Sequence, residues 1–276
     1  MKICGFLQNY NGVENGDLLR CLKSMCCVVD HIYVYDDGST EDVWPLYKAY
    51  DCVVIPGRVN DFSAELLHKQ ALLGKIQSDH PDFKWICWFD NDAILGSLFE
   101  TRKDTEEVLG QAADQEFVQI FLHNLNLWRS RCWYRVDSHF NDLWHCVWWY
   151  NTGELYYPQP RRGLHQQQYP NPYRERGVVK KLEMKDPRGQ LLHYGFSDYE
   201  RIVRKYLTYK QEGQTGERLD RLYREKDMHL EPVELDWFPL FDRPEEIDSE
   251  PQEMLPDHVA NMETVNEYEQ SKMSVL

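Results

Sequence analysis

The sequence predicts an α/β protein with a largely parallel sheet. Three observations carry this: short apolar runs alternate with amphipathic stretches through the first hundred residues, the runs end in polar turns, and 276 residues suffice to bury a sizeable core. Ile3 to Leu7 reads as a strand, and Asp17 to Cys27 as a helix with Leu18, Leu19, Leu22 and Met25 on one face. His31 to Tyr35 reads as a second strand ending in Asp36-Asp37-Gly38-Ser39. Ser39 or Thr40 is then the expected N-cap, with Glu41 or Asp42 in the first turn, of a helix running to about Tyr50. A third strand at Cys52 to Ile55, a long helix from Ser63 to Gln77 and a fourth strand at Trp85 to Phe89 complete this half.

Beyond Asp90-Asn91-Asp92 the pattern changes. Glu116 to Leu122 and Cys146 to Tyr150 read as strands, and Tyr156 to Gly177, rich in Pro, Arg, Gln and Tyr, as a long loop of the kind that is often functional. Asp198 to Glu212 is a helix with Tyr199, Ile202, Val203, Tyr206 and Leu207 at helical spacing, and Glu217 to Lys226 a shorter one. From Arg243 onward nine acids face two bases, about half the net negative charge, so a disordered or loosely attached tail is expected at 241–276 after a domain at 1–240.

Composition narrows the function classes. Lys plus Arg is 31 against 46 Asp plus Glu, a net charge of −15 that repels polyanions and argues against nucleic acid as a partner. No apolar run approaches the roughly 20 residues of a transmembrane helix, and Met1 to Leu7 is too short for a signal segment. The expectation is a cytoplasmic protein, with peripheral association at a membrane kept as an alternative. The eight cysteines lack CxxC pairs and sit in apolar runs, as buried free thiols of a reducing compartment do.

In an open α/β sheet, ligands sit beyond the carboxyl ends of the strands. Here those ends are Gln8-Asn9-Tyr10-Asn11, Asp36-Asp37-Gly38-Ser39-Thr40, Pro56-Gly57-Arg58-Val59-Asn60 and Asp90-Asn91-Asp92. Two carboxylates one residue apart on a turn after a buried strand offer hard oxygen ligands to Mg²⁺ or Mn²⁺, for which a diphosphate is the natural co-ligand.

On these residues the chain resembles a family 2 glycosyltransferase of the GT-A fold, a Rossmann-like mixed central sheet with flanking helices. Tyr33 to Asp42 is similar to the family's first nucleotide-binding signature, Trp85 to Asp92 to its strand ending in a DxD motif, and Leu191-Leu192-His193-Tyr194-Gly195-Phe196 to the segment that closes the site. The resemblance covers about residues 1–240, with a nucleotide-sugar-binding half at 1–100 and an acceptor half at 101–240.

It implies that Asp37 binds the nucleobase or ribose of a nucleotide diphosphate sugar, that Asn9 and Tyr10 flank the base, and that Arg58 reaches phosphate oxygens or the Asp37 carboxylate. Lys69 is a weaker phosphate candidate. Asp90 contacts the donor ribose or sugar, Asp92 binds the metal, Mn²⁺ or Mg²⁺, and His193 adds a further ligand. Ala93 departs from the acidic residue that often follows the motif.

Inverting transfer also needs a base for the acceptor hydroxyl, whether that acceptor is a glycan, a lipid-linked sugar or a protein. Asp137 is the expected base, with Asp142 and His139 as rivals. Trp128, Trp133 and Trp144 offer flat surfaces to a sugar, and Arg161, Arg162, Arg174 and Arg176 make the long loop locally basic. A sugar-nucleotide nucleotidyltransferase is the alternative enzyme, although Gln8 to Gly16 lacks the Lys or Arg that cradles a triphosphate. A catalytically inactive carbohydrate-binding protein of the same fold is the alternative outside enzymes.

Overall fold

The computed structural model describes residues 1–137, 140, 142–158, 167–171, 179–211, 219, 223, 228–251, 259, 261–262 and 264–273. The chain divides into two compact units: Met1–Asn124, Trp144–Leu192 and Asp236–Arg243 form the first, and Leu125–Leu143, His193–Leu235 and Pro244–Leu276 the second.

The first unit is a mixed α/β sheet with flanking helices. Its parallel strands are β1 (Ile3–Asn9), β2 (His31–Asp36), β3 (Val53–Pro56) and β4 (Trp85–Trp88), paired in the order β3-β2-β1-β4. The connecting helices are α1 (Asp17–Cys26), α2 (Trp44–Ala49) and α3 (Glu65–Asp79). β5 (Ala93–Leu95) and α4 (Arg102–Asp114) follow β4. The sheet then extends through antiparallel pairings, β4 with β8 (Trp144–Tyr150) and β8 with β6 (Gln119–Trp128), with β9 (Lys181–Glu183) parallel to β6. β10 (Leu191–Phe196) pairs with β5 and β6. β6 and β10 begin in the first unit and end in the second.

Period-two alternation sorts each strand onto two cores. Ile3 and Leu7 of β1 join Leu18, Leu22 and Met25 of α1 on one face, with Trp85, Cys87 and Trp148. Cys4 and Phe6 join Leu72, Leu73 and Ile76 of α3 on the other, with Ile86, Trp88 and Trp149. Each such side chain contributes about 1.5–3 kcal/mol by leaving water, which is why strands buried on both faces read as continuous apolar runs.

The second unit has its own core. β7 (Trp133–Arg135) pairs antiparallel with the distal part of β6 and with β11 (Leu230–Pro232). Trp128, Phe140 and Phe196 pack there with Ile202, Val203, Tyr206 and Leu207 of α5 (Tyr199–Gln211). The acidic tail is not loosely attached where it is described. Val259 and Tyr268 join this core, and α6 (Val265–Met273) is tied to α5 by Tyr268 Oη to Glu200 at 2.8 Å and Arg204 to Glu269 at 2.9 Å. Of the proposed helix at Glu217 to Lys226, only Leu219 and Tyr223 are described, both helical.

Two elements differ from expectation. The helix proposed after Ser39 starts only at Trp44, with Pro45 in its first turn, because Ser39 bonds back to Asp36 and caps a turn. α4 was not anticipated, since only Thr105, Leu109 and Ala112 of it are buried, too thin a stripe to show as periodicity. Its capping box was the available signal: Asp104 N donates to Thr101 Oγ1 at 3.2 Å, and Thr101 N to Asp104 Oδ2 at 3.1 Å.

No cysteine is paired with another in a disulfide. Cys4, Cys21, Cys87, Cys132 and Cys146 are buried, whereas Cys26 at the end of α1 is exposed. Among the described residues no helix is long and apolar enough to cross a membrane. Thr101→Ala removes one half of the capping box, so urea unfolding is expected to show a loss of about 1 kcal/mol with an unchanged m-value.

Candidate functional site

The chain winds outward from β1 through β2 to β3 and then returns to the other side of β1 as β4. At such a reversal the connections leave in opposite directions, and a crevice opens beyond the carboxyl ends of the two central strands. Asn9 ends β1, Asp36 ends β2, and Asp90 to Asp92 follow β4.

These ends are bound into one hydrogen-bonded network with a buried centre. Asn9, 1 % exposed, donates from Nδ2 to the Tyr47 hydroxyl at 2.9 Å and accepts at Oδ1 from Asn91 Nδ2 at 2.7 Å. The Tyr47 hydroxyl in turn donates to Asp36 Oδ2 at 2.7 Å. Asp36 also accepts from Ser39 N at 3.0 Å and Ser39 Oγ at 2.8 Å. Asn11, in a left-handed conformation at φ 59°, accepts from the Thr40 and Glu41 amides at 2.8 and 3.1 Å. Glu41 Oε2 accepts from Val13 N at 2.5 Å. The loops after β1 and β2 are thereby fastened side chain to backbone, which lowers the ordering entropy a ligand must supply.

Asp37 has a separate environment. Its Oδ2 accepts from Asp61 N at 2.9 Å and Asn60 Nδ2 at 3.1 Å, and its Oδ1 lies 3.7 Å from His68 Nε2. Burial pushes the Asp37 carboxyl above its ordinary range. Burial also lowers the pKa of His68, whose ring stacks on Tyr35 at 3.9 Å, which favours the neutral imidazole beside Asp37. The loop carrying Asn60 and Asp61 lies against the Asp37-Gly38 turn: a Cβ on Gly38, at φ +73°, would stand 2.8 Å from the Val59 backbone.

Of the other expected donor contacts, Tyr10 is half-buried just beyond β1. Arg58 is exposed and makes no ion pair among the described residues, which leaves its guanidinium available to an anion. Lys69 is not a solvated helix charge: it is fully buried, with Nζ 2.5 Å from Glu65 Oε1, 3.2 Å from the Gln167 carbonyl and 4.0 Å over the Trp88 ring. Those partners occupy it in a structural role.

After β4, Ala93 N donates to Asp90 O at 3.1 Å and closes a tight turn, with Asp90 exposed and Asp92 half-buried. Ala93 opens β5 and is 1 % exposed, so a carboxylate at that position would be buried in the sheet. In the second unit, His193 is the third residue of β10, with Nδ1 2.8 Å from Asn126 Oδ1 of β6.

Asp137, the expected base, is engaged by a guanidinium. Arg135, 1 % exposed, donates from Nε to Asp137 Oδ1 and from NH2 to Oδ2, both at 2.7 Å. Burial pushes the Asp137 carboxyl up, but the hydrogen bonds and charge of Arg135 outweigh it and hold the pKa below its ordinary value. Such a carboxylate is a poor proton acceptor in this arrangement and a good anchor for a buried cation. Of its rivals, Asp142 is exposed and His139 lies outside the described residues, as do Arg161, Arg162, Arg174 and Arg176. Trp128 is fully buried and stacks on Phe196 at 5.0 Å, so it is a core residue and not a sugar platform; Trp133 and Trp144 are half-buried.

Sequence patterning does not single out Tyr47, His68 or Asn126. Asn126 did leave a signal, an amide between Leu125 and Leu127 in β6.

No protein-family model and no curated protein matches the chain. Solved structures similar to it include the following three. Residues 1–349 of S. aureus TarS share 12% identity, with 80% of this chain and 69% of that one covered and a TM-score of 0.47. Glucosyl-3-phosphoglycerate synthase from Mycobacterium tuberculosis, solved with Mn²⁺, UDP and glucosyl-3-phosphoglycerate, shares 13% identity over 45% of this chain and 44% of that one, with a TM-score of 0.26. A glycosyltransferase involved in glycosylation of the major capsid of PBCV-1 shares 9% identity over 73% of this chain and 98% of that one, with a TM-score of 0.33. The chain spans less than half the length of the mycobacterial synthase.

Gly38→Ala forces a side chain into a left-handed turn with the Val59 backbone behind it. Chemical denaturation should register a loss of about 1–3 kcal/mol. For Asp137, a lowered folded-state pKa means that its contribution is present above the ordinary value of 3.8 and is lost as pH falls through the folded value. Asp137→Asn is therefore expected to cost about 3 kcal/mol at pH 7. Its deficit relative to wild type should shrink in melts below pH 3.8, and a deficit constant with pH would remove the ion pair as its cause.

Proposed function

We propose that this chain is a glycosyltransferase of the GT-A type, similar to family 2, that transfers a sugar from a nucleotide diphosphate sugar to an acceptor hydroxyl. The observation that carries the reading is the strand reversal between β1 and β4 with Asn9, Asp37, Asp90 and Asp92 at or beyond strand ends. A crevice built in this way presents hydrogen-bond acceptors to a nucleoside and carboxylates to a cation on the same edge of one sheet.

Asp90, Asp92 and His193 are the proposed holders of a divalent ion. Two carboxylates with one imidazole suit Mn²⁺, and Mg²⁺ less well because of the nitrogen. Bound there, the ion would neutralise charge on the diphosphate of the leaving nucleotide.

The chain's own groups account for the rest of the proposed reaction. Asp37 accepts a hydrogen bond from a base N–H or a ribose hydroxyl while Asn60 and the Asp61 amide hold its other oxygen. Tyr10 flanks the base while Asn9, engaged by Tyr47 and Asn91, anchors the end of β1; Arg58 pairs with phosphate oxygens, and Asp90 also orients the donor ribose or sugar. Inversion follows from single displacement at the anomeric carbon, with a base receiving the acceptor proton. Asp137 can take that part only after leaving Arg135. A cytoplasmic setting, with a glycan, lipid-linked or protein acceptor, completes the proposal.

Thermal melts with a panel of nucleoside diphosphates and their sugars, with and without Mn²⁺, test it. A ligand at one hundred times its Kd stabilises by about 2.7 kcal/mol, or several degrees for a chain of this size. The expected result is a Mn²⁺-dependent rise for one base that disappears in Asp92→Ala. Turnover should fall by about 10²–10³-fold in that variant, the usual loss when a group stabilising developing charge is removed. Binding without release of nucleoside diphosphate would favour the inactive carbohydrate-binding alternative, and no rise with any nucleotide would sink the assignment.

A further inference from the structure

Asn126 is 2 % exposed in a strand whose neighbouring positions are apolar, and it uses only half of its amide: Oδ1 lies 2.8 Å from His193 Nδ1, while Nδ2 is buried without a hydrogen-bond partner among the described residues. A buried amide that leaves a donor unsatisfied is costly compared with a leucine of similar size, so its presence calls for a reason. The neighbour supplies one. A neutral imidazole carries a single N–H, and a carbonyl oxygen beside Nδ1 places that hydrogen on Nδ1 and leaves the lone pair on Nε2.

We propose that Asn126 is a positioning residue for His193, fixing the imidazole in the Nδ1–H tautomer so that Nε2 is held ready for a divalent cation. This rests on the reading of His193 as a metal ligand given above. The phenyl ring of Phe196 meets the imidazole edge to face at 5.4 Å and restrains its tilt, so the amide sets the proton and the ring supports the plane. Metal-bound histidines commonly donate their second N–H to an oxygen acceptor, and loss of that acceptor typically weakens metal binding about 10–100-fold. The opposite amide orientation would have Nδ2 donate to Nδ1 and place the hydrogen on Nε2, where it would block coordination.

The test has a readout that needs no metal. Two-bond ¹H–¹⁵N spectra of the histidine side chains in the metal-free full chain, above pH 8 and assigned with His193→Gln, are expected to show the Nδ1–H tautomer at His193. An Nε2–H tautomer there overturns the inference and leaves the glycosyltransferase reading standing. Mn²⁺ titration, followed by the loss of its free-ion electron paramagnetic resonance signal, should then give about 10–100-fold weaker binding for Asn126→Leu. Asn126→Asp, which keeps an oxygen acceptor, should bind within a few-fold of wild type. Equal Mn²⁺ affinity in Asn126→Leu and wild type overturns the positioning role. If wild type itself takes up no Mn²⁺, the metal reading falls first and the inference with it. Should Asn126→Leu not fold, as judged by circular dichroism, the tautomer and the Asn126→Asp titration still decide: the inference fails if Asn126→Asp loses Mn²⁺ binding.

Discussion

The hydrogen bonding of the Asp36 carboxylate is the interaction on which the strand-end edge of the first unit depends. Buried to 6 % exposure, Asp36 accepts from the amide and hydroxyl of Ser39 and from the hydroxyl of Tyr47, and Tyr47 passes the connection on to Asn9 and then to Asn91. Three strand ends from distant parts of the sequence are thus joined through a chain of polar atoms that is buried at Asn9, Tyr47 and Asp36 and half-buried at Ser39 and Asn91. In such a network each bond makes its neighbours more costly to break, and the order it imposes is in place before any ligand arrives. The two adjacent aspartates at the end of β2 therefore divide the work: the first builds the turn, and the second sits over the loop after β3 with one oxygen on Asn60 and Asp61.

A similar division separates buried charges that hold the fold from charges left at the surface. Arg135 and Asp137 satisfy each other with two hydrogen bonds, and Lys69 is shared among Glu65, a carbonyl and an indole face. These groups were removed from solvent only because their partners came with them. Arg58, on the loop after β3, is exposed instead. A charge kept in water on a strand-end loop, as at Arg58, retains its capacity for a new partner.

Much of this was legible in the sequence because it depends on local rules. The four parallel strands and α1, α3 and α5 announced themselves through apolar runs and helical periodicity, and the polar strand ends could be placed on one edge by topology alone. What stayed hidden depends on partners far along the chain. Lys69 looks like any helix lysine until Trp88 and Gln167 close over it, and Asp137 looks available until Arg135 is found turned back upon it. The acidic tail misled for the same reason: composition counts its charges, whereas its attachment comes from Val259, Tyr268 and one ion pair. Thr101 is the exception, since its capping box was a local signal that periodicity overlooked.

The distribution of thiols has a chemical consequence. Burial pushes the thiols of Cys21, Cys87 and Cys146 far up and that of Cys4 to about 12, so their sulfurs stay protonated and poorly nucleophilic. Cys26 differs: a hydrogen bond with the adjacent Cys27 brings it down to about 7, and it is exposed. An electrophilic reagent at neutral pH would therefore meet a chain of eight cysteines as if it carried one dominant nucleophile, at the end of α1. A fluorophore or spin label can be attached there to report on the first unit without first emptying the core of its sulfur.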